Sequence, residues 1–145
     1  MTDQQLQSIK VENENQLQCK VILIASQEFP QLRGKIWHTK NESYIRRIAI
    51  EENGVWRVET DSELEKRRKV EGSVNKAMGM LPGVPDVLFL WKGKLYWIEL
   101  KVSGGVLSDS QKDLHYNWRN DSSGKVCYDV FSSITYIKSV VYGEK

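Results

Sequence analysis

Gly83-Val84-Pro85-Asp86 is followed, after twelve intervening residues, by Glu99-Leu100-Lys101. Two carboxylates and an ammonium at that spacing can do chemistry together if the chain between them folds back. Val84 to Leu90 and Leu95 to Lys101 are nearly continuous apolar runs, and Lys92-Gly93 between them supplies a turn. A two-residue turn sets Trp91 against Lys94, Leu88 against Trp97, and therefore Asp86 against Glu99. Directly opposed residues on one face have Cβ atoms about 4.5–5.5 Å apart. Lys101, two residues beyond Glu99, shares that face. Two bare carboxylates amid Leu88, Leu90, Leu95 and Trp97 repel each other and are costly to desolvate. A divalent cation relieves both costs. Mg²⁺ takes hard oxygen ligands, keeps several waters and is commonly held by one or two carboxylates plus phosphate oxygens. The spacing thus predicts a metal site with Asp86, Glu99 and the Leu100 carbonyl as ligands, acting on a phosphate ester. Lys101 would position or deprotonate a water, or pair with a phosphate oxygen. An ion-pair cluster on a half-exposed hairpin would use the same residues. Strands apolar on both faces favour the metal site, because a solvated cluster does not need such surroundings.

Other elements must position this hairpin. Leu17, Val21, Ile24 and Ala25 recur at helical spacing, predicting a helix over 12–29 that Pro30 stops. Glu14 lies on its apolar stripe and Glu28 near the same stripe at the other end. Ile36 to Thr39 reads as a short strand. Ser43 to Ile50 and Val55 to Glu59 flank Asn53-Gly54, a strong hairpin signal. Ser62, with Glu65 as capping-box partner, is expected to open the next helix. Ser108 caps another over about 109–120, with Gln111 at the capping-box position. Gly124 is expected to end that section, Lys125 to Phe131 to be a strand, and Ser133 to Tyr142 a final helix or strand. The order predicts one mixed α/β domain over 1–145.

Together, Gly83-Val84-Pro85-Asp86, Ile98-Glu99-Leu100-Lys101 and Leu107-Ser108-x-x-Gln111-x-x-x-His115 resemble the VRR-NUC family of nucleases, a branch of the PD-(D/E)XK superfamily. Ala77 to Gly83 suits that family's lead into the Pro-Asp, and the resemblance covers about 12–141. It implies a restriction-endonuclease-like α/β core, a central mixed sheet flanked by helices, with the Asn53-Gly54 hairpin, about 43–61, inserted. It implies a Mg²⁺- or Mn²⁺-dependent DNA endonuclease leaving 5′-phosphate and 3′-hydroxyl ends. Asp86 and Glu99 would be its metal ligands, Lys101 its catalytic lysine and Gln111 its glutamine near the site. The family's first-helix Glu matches Glu14, with Glu28 the second choice, to bind a second metal or anchor metal-bound water. His115, one turn after Gln111, is a candidate phosphate contact. Asn41 stands where the family often has Asn-Gly, but Glu42 follows it. Small stand-alone members, often phage-encoded and similar to Holliday junction resolvases, act as homodimers on branched DNA. The competing readings are a sequence-specific restriction-type nuclease, a non-catalytic nucleic-acid-binding module of the same fold, and an ion-pair-stabilised interaction domain.

Composition bounds these readings. The 145 residues carry 21 Lys and Arg against 19 Asp and Glu, a net charge of +2. This argues against a strongly basic coat protein. The charge is unevenly spread: Arg33, Lys35, Lys40, Arg46 and Arg47 face only Glu42 over 31–47, and Lys66-Arg67-Arg68-Lys69 follows. Lys40, Arg46, Arg47 and Lys66 to Lys69 are candidate phosphate contacts, which position a duplex without reading its sequence. Two cysteines, Cys19 and Cys127, give no zinc spacing or disulfide framework, and an intracellular setting is expected. No apolar run is long enough to span a membrane, so no membrane partner is expected. The glycine signatures of nucleotide-binding folds and the nucleophile elbow are absent from the sequence.

Overall fold

Asn13 sets the first long helix. Its side chain accepts the Gln16 N–H at 2.9 Å, and the helix runs Glu14–Glu28 with Leu17, Val21, Ile24 and Ala25 buried on one side. The structure, a computed structural model, describes residues 1–39 and 45–143. In chain order its elements are α1 (Asp3–Gln7), α2 (Glu14–Glu28), a 3₁₀ turn (Pro30–Leu32), β1 (Ile36–His38), β2 (Ala49–Glu52), β3 (Val55–Val58), α3 (Asp61–Ala77), β4 (Val87–Trp91), β5 (Lys94–Leu100), α4 (Asp109–Trp118), β6 (Ser122–Cys127) and α5 (Val130–Tyr142). The chain divides into two compact units, Met1–Asn41 with Pro82–Lys145, and Glu42–Leu81.

The larger unit holds a four-stranded mixed sheet in the order β1-β4-β5-β6. Its pairs are antiparallel except β5 with β6, which is parallel. The expected register is present: Leu88 pairs with Trp97 and Trp91 with Lys94. Lys92 and Gly93 both take positive φ, 48° and 77°, the backbone of a type I′ hairpin turn. Alternation then sorts the strands. Val87, Phe89, Ile98 and Leu100 enter the core with α2 and α5. Leu88 and Trp97 are buried on the other face, where α4 lies. The two apolar faces predicted for this hairpin belong to its inner half. Leu90 is 43% exposed, so the apolar setting of Asp86 and Glu99 comes from Leu88 and Trp97.

Several boundaries differ from the sequence reading. Asp129 accepts the Ser132 N–H at 2.6 Å and caps α5, so Val130 and Phe131 are helical and the last element is a helix. Gly124 lies inside β6 and pairs with Trp97. A Cβ there would fall 1.8 Å from the indole, so only glycine lets the ring lie across the strand. A short helix, α1, also forms where only a polar N-terminus was read. Thr2 and Gln5 close a reciprocal capping box and Leu6 buries into the core.

The smaller unit joins the β2–β3 hairpin to α3. Asn53 and Gly54, at φ 54° and 75°, make the turn that this dipeptide signals. Thr60, not Ser62, caps the helix. Its hydroxyl accepts the Glu63 N–H at 3.3 Å, and Asp61 and Glu63 in the first turn suit the helix dipole. The hairpin's amphipathic sense is inverted. Trp56 and Val58 are 68% and 66% exposed, while Glu59 is 1% exposed. Arg67 of α3 reaches the Glu59 carboxylate at 2.9 Å, and the Ile48 N–H donates to it at 3.3 Å. Arg57 bonds Glu52 and Glu63. An ionic cluster centred on the buried Glu59 therefore holds hairpin to helix where an apolar seam would be usual.

Candidate active site

The site is built on the ends of β4 and β5. Pro85 and Asp86 precede β4, and their carbonyls accept from Thr39, just past β1: the hydroxyl to Pro85 O at 2.5 Å and the N–H to Asp86 O at 2.9 Å. The neighbouring strand thus pins the backbone that presents Asp86. The Asp86 side chain accepts the Leu100 N–H through Oδ2 at 2.8 Å. Glu99 is the last-but-one residue of β5 and is 1% exposed.

Helix α4 reaches the same place. Ser108 and Gln111 form the predicted capping box, and the Gln111 amide also serves the site. Its Oε1 accepts the Ser108 N–H at 2.8 Å, which turns its NH₂ group onto Glu99 Oε1. Capping and site roles are one arrangement here. Gly83 makes the approach possible. At φ +79°, it sits so close to the first turn of α4 that a Cβ would meet Ser110 O at 2.4 Å.

Lys101 lies between two acids. Its Nζ is 3.6 Å from Glu99 Oε1 and 3.9 Å from Glu14 Oε1, and its side chain is 12% exposed. Glu14, first residue of α2 and 45% exposed, therefore reaches the cluster at its wet rim. Glu28 does not: its carboxylate pairs with the Met1 amino group at 2.8 Å.

Burial dominates the electrostatics. It raises the Asp86 carboxyl above the ordinary range, opposed by the Leu100 N–H and reinforced by Glu14. It pushes Glu99 up to about 8, reinforced by the charge of Asp86 and opposed by Lys101. Two adjacent acids that resist ionising are what an electropositive ligand would relieve. Glu99 Oε2 is buried and has no hydrogen-bond partner among the described residues. Also among the described residues, no three His, Cys, Asp or Glu side chains form a closed metal-ligand set. The site offers a pair of carboxylates, as suits an ion that retains water.

The other candidates are placed elsewhere. Lys40 and Asn41 lie outside the described residues. Leu100 lends its N–H to Asp86, and its side chain is in the core. In the smaller unit, Arg47 bonds Asp61 and the Glu59 carbonyl, and Arg67 bonds Glu59 and the Arg46 carbonyl. Arg47 and Arg67, both expected as phosphate contacts, thus carry internal partners while about two-fifths of each side chain stays exposed. Lys66, Arg68 and Lys69 are on α3, and all three are exposed. His115 stacks on Trp97 with ring centroids 4.2 Å apart and faces Glu99, a relation the sequence reading missed. The i,i+4 spacing from Gln111 was its available signal.

No family model, curated protein or solved structure matches the chain. Among the described residues, no helix is long and apolar enough to cross a membrane.

Proposed function

We propose that the chain is a divalent-metal-dependent DNA endonuclease with a PD-(D/E)XK core of the VRR-NUC kind, selective for branched DNA such as four-way junctions and acting as a homodimer. The observation that carries this reading is the convergence of Asp86, Glu99 and Lys101 at one end of β4 and β5, with Glu99 buried and one of its oxygens unpartnered among the described residues. The donor set fits Mg²⁺ or Mn²⁺. Two carboxylates would hold the ion, with the Leu100 carbonyl and waters completing it, and Glu14 at the rim would hold a second ion or its water. Such an ion supplies Lewis acidity and offsets negative charge at a phosphate.

The protein's own groups do the rest. Gln111 holds one oxygen of Glu99, and Asp86 is held by the Leu100 N–H, so neither carboxylate has to reorganise. Lys101 presents ammonium donors beside both acids, placed to orient an attacking water and to pair with a phosphate oxygen. Water adds at phosphorus and gives up a proton to solvent, the bond to the 3′ oxygen breaks, that oxygen takes a proton from solvent to become the 3′-hydroxyl, and the 5′-phosphate stays on the other fragment. A two-fold dimer would bring two such sites to the two strands of a symmetric junction.

The test is incubation of purified protein with a four-way junction, a duplex and a single strand, in Mg²⁺, Mn²⁺ or EDTA. Metal-dependent cutting of the junction is expected, with Asp86→Ala and Lys101→Ala each slower by about 10²-fold or more. Cutting that survives both substitutions would overturn the site. Binding without cutting would leave a nucleic-acid-binding module, and cutting at one duplex sequence a restriction-type enzyme.

The basic face of α3 gives a separate expectation. Lys66→Ala with Lys69→Ala should weaken DNA binding at every sequence and flatten its salt dependence. The slope of log K against log salt should become shallower by roughly 0.9 for each phosphate that is no longer neutralised. Arg67 is avoided because it is bound to Glu59. An unchanged slope in a fluorescence anisotropy titration would remove α3 from the DNA surface.

A further inference from the structure

Two buried atoms face each other across the site without a bond. His115 Nε2 lies 3.9 Å from Glu99 Oε2, and among the described residues neither has a hydrogen-bond partner. Burying polar groups unpaired is costly, and native interiors keep few of them. The imidazole is not free to turn away. It lies against Trp97, with rings 24° from parallel, and Trp97 is itself fixed by its Nε1–H bond to Ser122 at 3.1 Å and by the space over Gly124. His115 is one turn from Gln111 on the same face of α4, and Gln111 already holds the other oxygen of Glu99.

We propose that His115 is a positioning residue: its Nε2–H takes Glu99 Oε2 as Gln111 takes Oε1, so that α4 grips the carboxylate at both oxygens and fixes how its remaining lone pairs point. This rests on the reading of Glu99 as a metal ligand. A carboxylate oxygen carries two lone pairs, so a hydrogen bond from the helix leaves one for a cation. Hydrogen bonds behind a ligating carboxylate are the usual means of orienting it. A neutral ring with its proton on Nε2 orients the carboxylate without cancelling its charge. The 3.9 Å gap closes by a small shift of the imidazole toward the held carboxylate, since hydrogen bonds of active sites commonly tighten on loading.

Two substitutions separate the nitrogen from the ring. His115→Phe keeps the stack on Trp97 and removes the donor. His115→Gln removes the ring and offers an amide donor at similar reach. The measurement is Mn²⁺ affinity of the full chain without nucleic acid, from the EPR signal of free Mn²⁺, with melting curves to show that each variant is folded. His115→Phe is expected to bind Mn²⁺ about 10- to 100-fold more weakly, and His115→Gln to stay closer to wild type. Wild-type affinity in His115→Phe, or a drop in His115→Gln as large as in His115→Phe, would overturn the proposal and leave His115 a packing residue. Failure of the wild-type protein to bind Mn²⁺ would instead overturn the metal reading of the site itself.

Discussion

Glu99→Gln is expected to abolish cutting while making the metal-free protein more stable above neutral pH. An ordinary Glu carboxyl ionises near 4.5, and the folded protein pushes Glu99 up to about 8, chiefly through burial and then through the charge of Asp86. Between those values the unfolded chain has released this proton while the folded chain holds it. The folded state then binds more protons, so stability falls as pH rises through this window and reaches its floor above about 8. The decrease is on the order of a few kcal/mol, and each kcal/mol moves Tm by about 3 °C. Gln carries no proton to lose and keeps the shape, so its melting temperature should be flatter from about pH 5 to 8.5 and higher at the alkaline end. On the proposed reading metal should reverse the ranking, because Mg²⁺ or Mn²⁺ would bind the ionised wild-type pair and stabilise the state it binds. Thermal melts of both proteins with EDTA and with Mn²⁺ check this. Superimposable pH profiles would show that Glu99 is ionised at no cost in the fold.

Arg67→Ala is expected to release the β2–β3 hairpin from α3. Glu59 has a fully buried side chain, and its carboxylate is met by Arg67 through both oxygens, at 2.9 and 3.1 Å. Removing one partner of a buried pair costs about 3–5 kcal/mol, because the other charge stays buried. Arg67 is 38% exposed, and that solvent access reduces the figure to roughly 2–3 kcal/mol. For a unit of about forty residues this is a large share of its stability. The smaller unit should become sensitive to limited proteolysis within residues 45–81, with fragments read by mass spectrometry. A double substitution, Arg67→Ala with Glu59→Gln, removes the stranded charge and should recover part of the resistance. Equal resistance in wild type and Arg67→Ala would show that hairpin and helix are held together by other interactions.

The hairpin with its acidic pair was legible in the sequence because both determinants are local. Lys92-Gly93 fixes the turn, and a turn of known length fixes every facing pair, including Leu88 with Trp97. The capping box of α4 was legible for the same reason. Its place near the site came only from the resemblance, and its bond to Glu99 was not legible in the residues, since a capping glutamine looks the same whether or not a carboxylate lies within reach of its NH₂ group. Gly124 was misread because a strand glycine under an indole and a helix-ending glycine are one letter, and only the neighbouring strand tells them apart. Burial in the β2–β3 hairpin was not legible at all, because Trp56 faces water and Glu59 is buried. The decisive partner, Arg67, stands on α3, and periodicity within a strand carries no information about it.

The sequence by itself therefore determined the mixed α/β class, the β4–β5 register and the side-by-side placement of Asp86 and Glu99. These follow from turn chemistry and from the period of the strand, which act over a few residues. Tertiary structure alone decided which acid of α2 approaches Lys101, that α4 faces both oxygens of Glu99, and which basic residues are already bound by acids. Each of those depends on where separate elements dock. Docking is set by burial summed over many side chains, and its energy belongs to no single stretch of sequence.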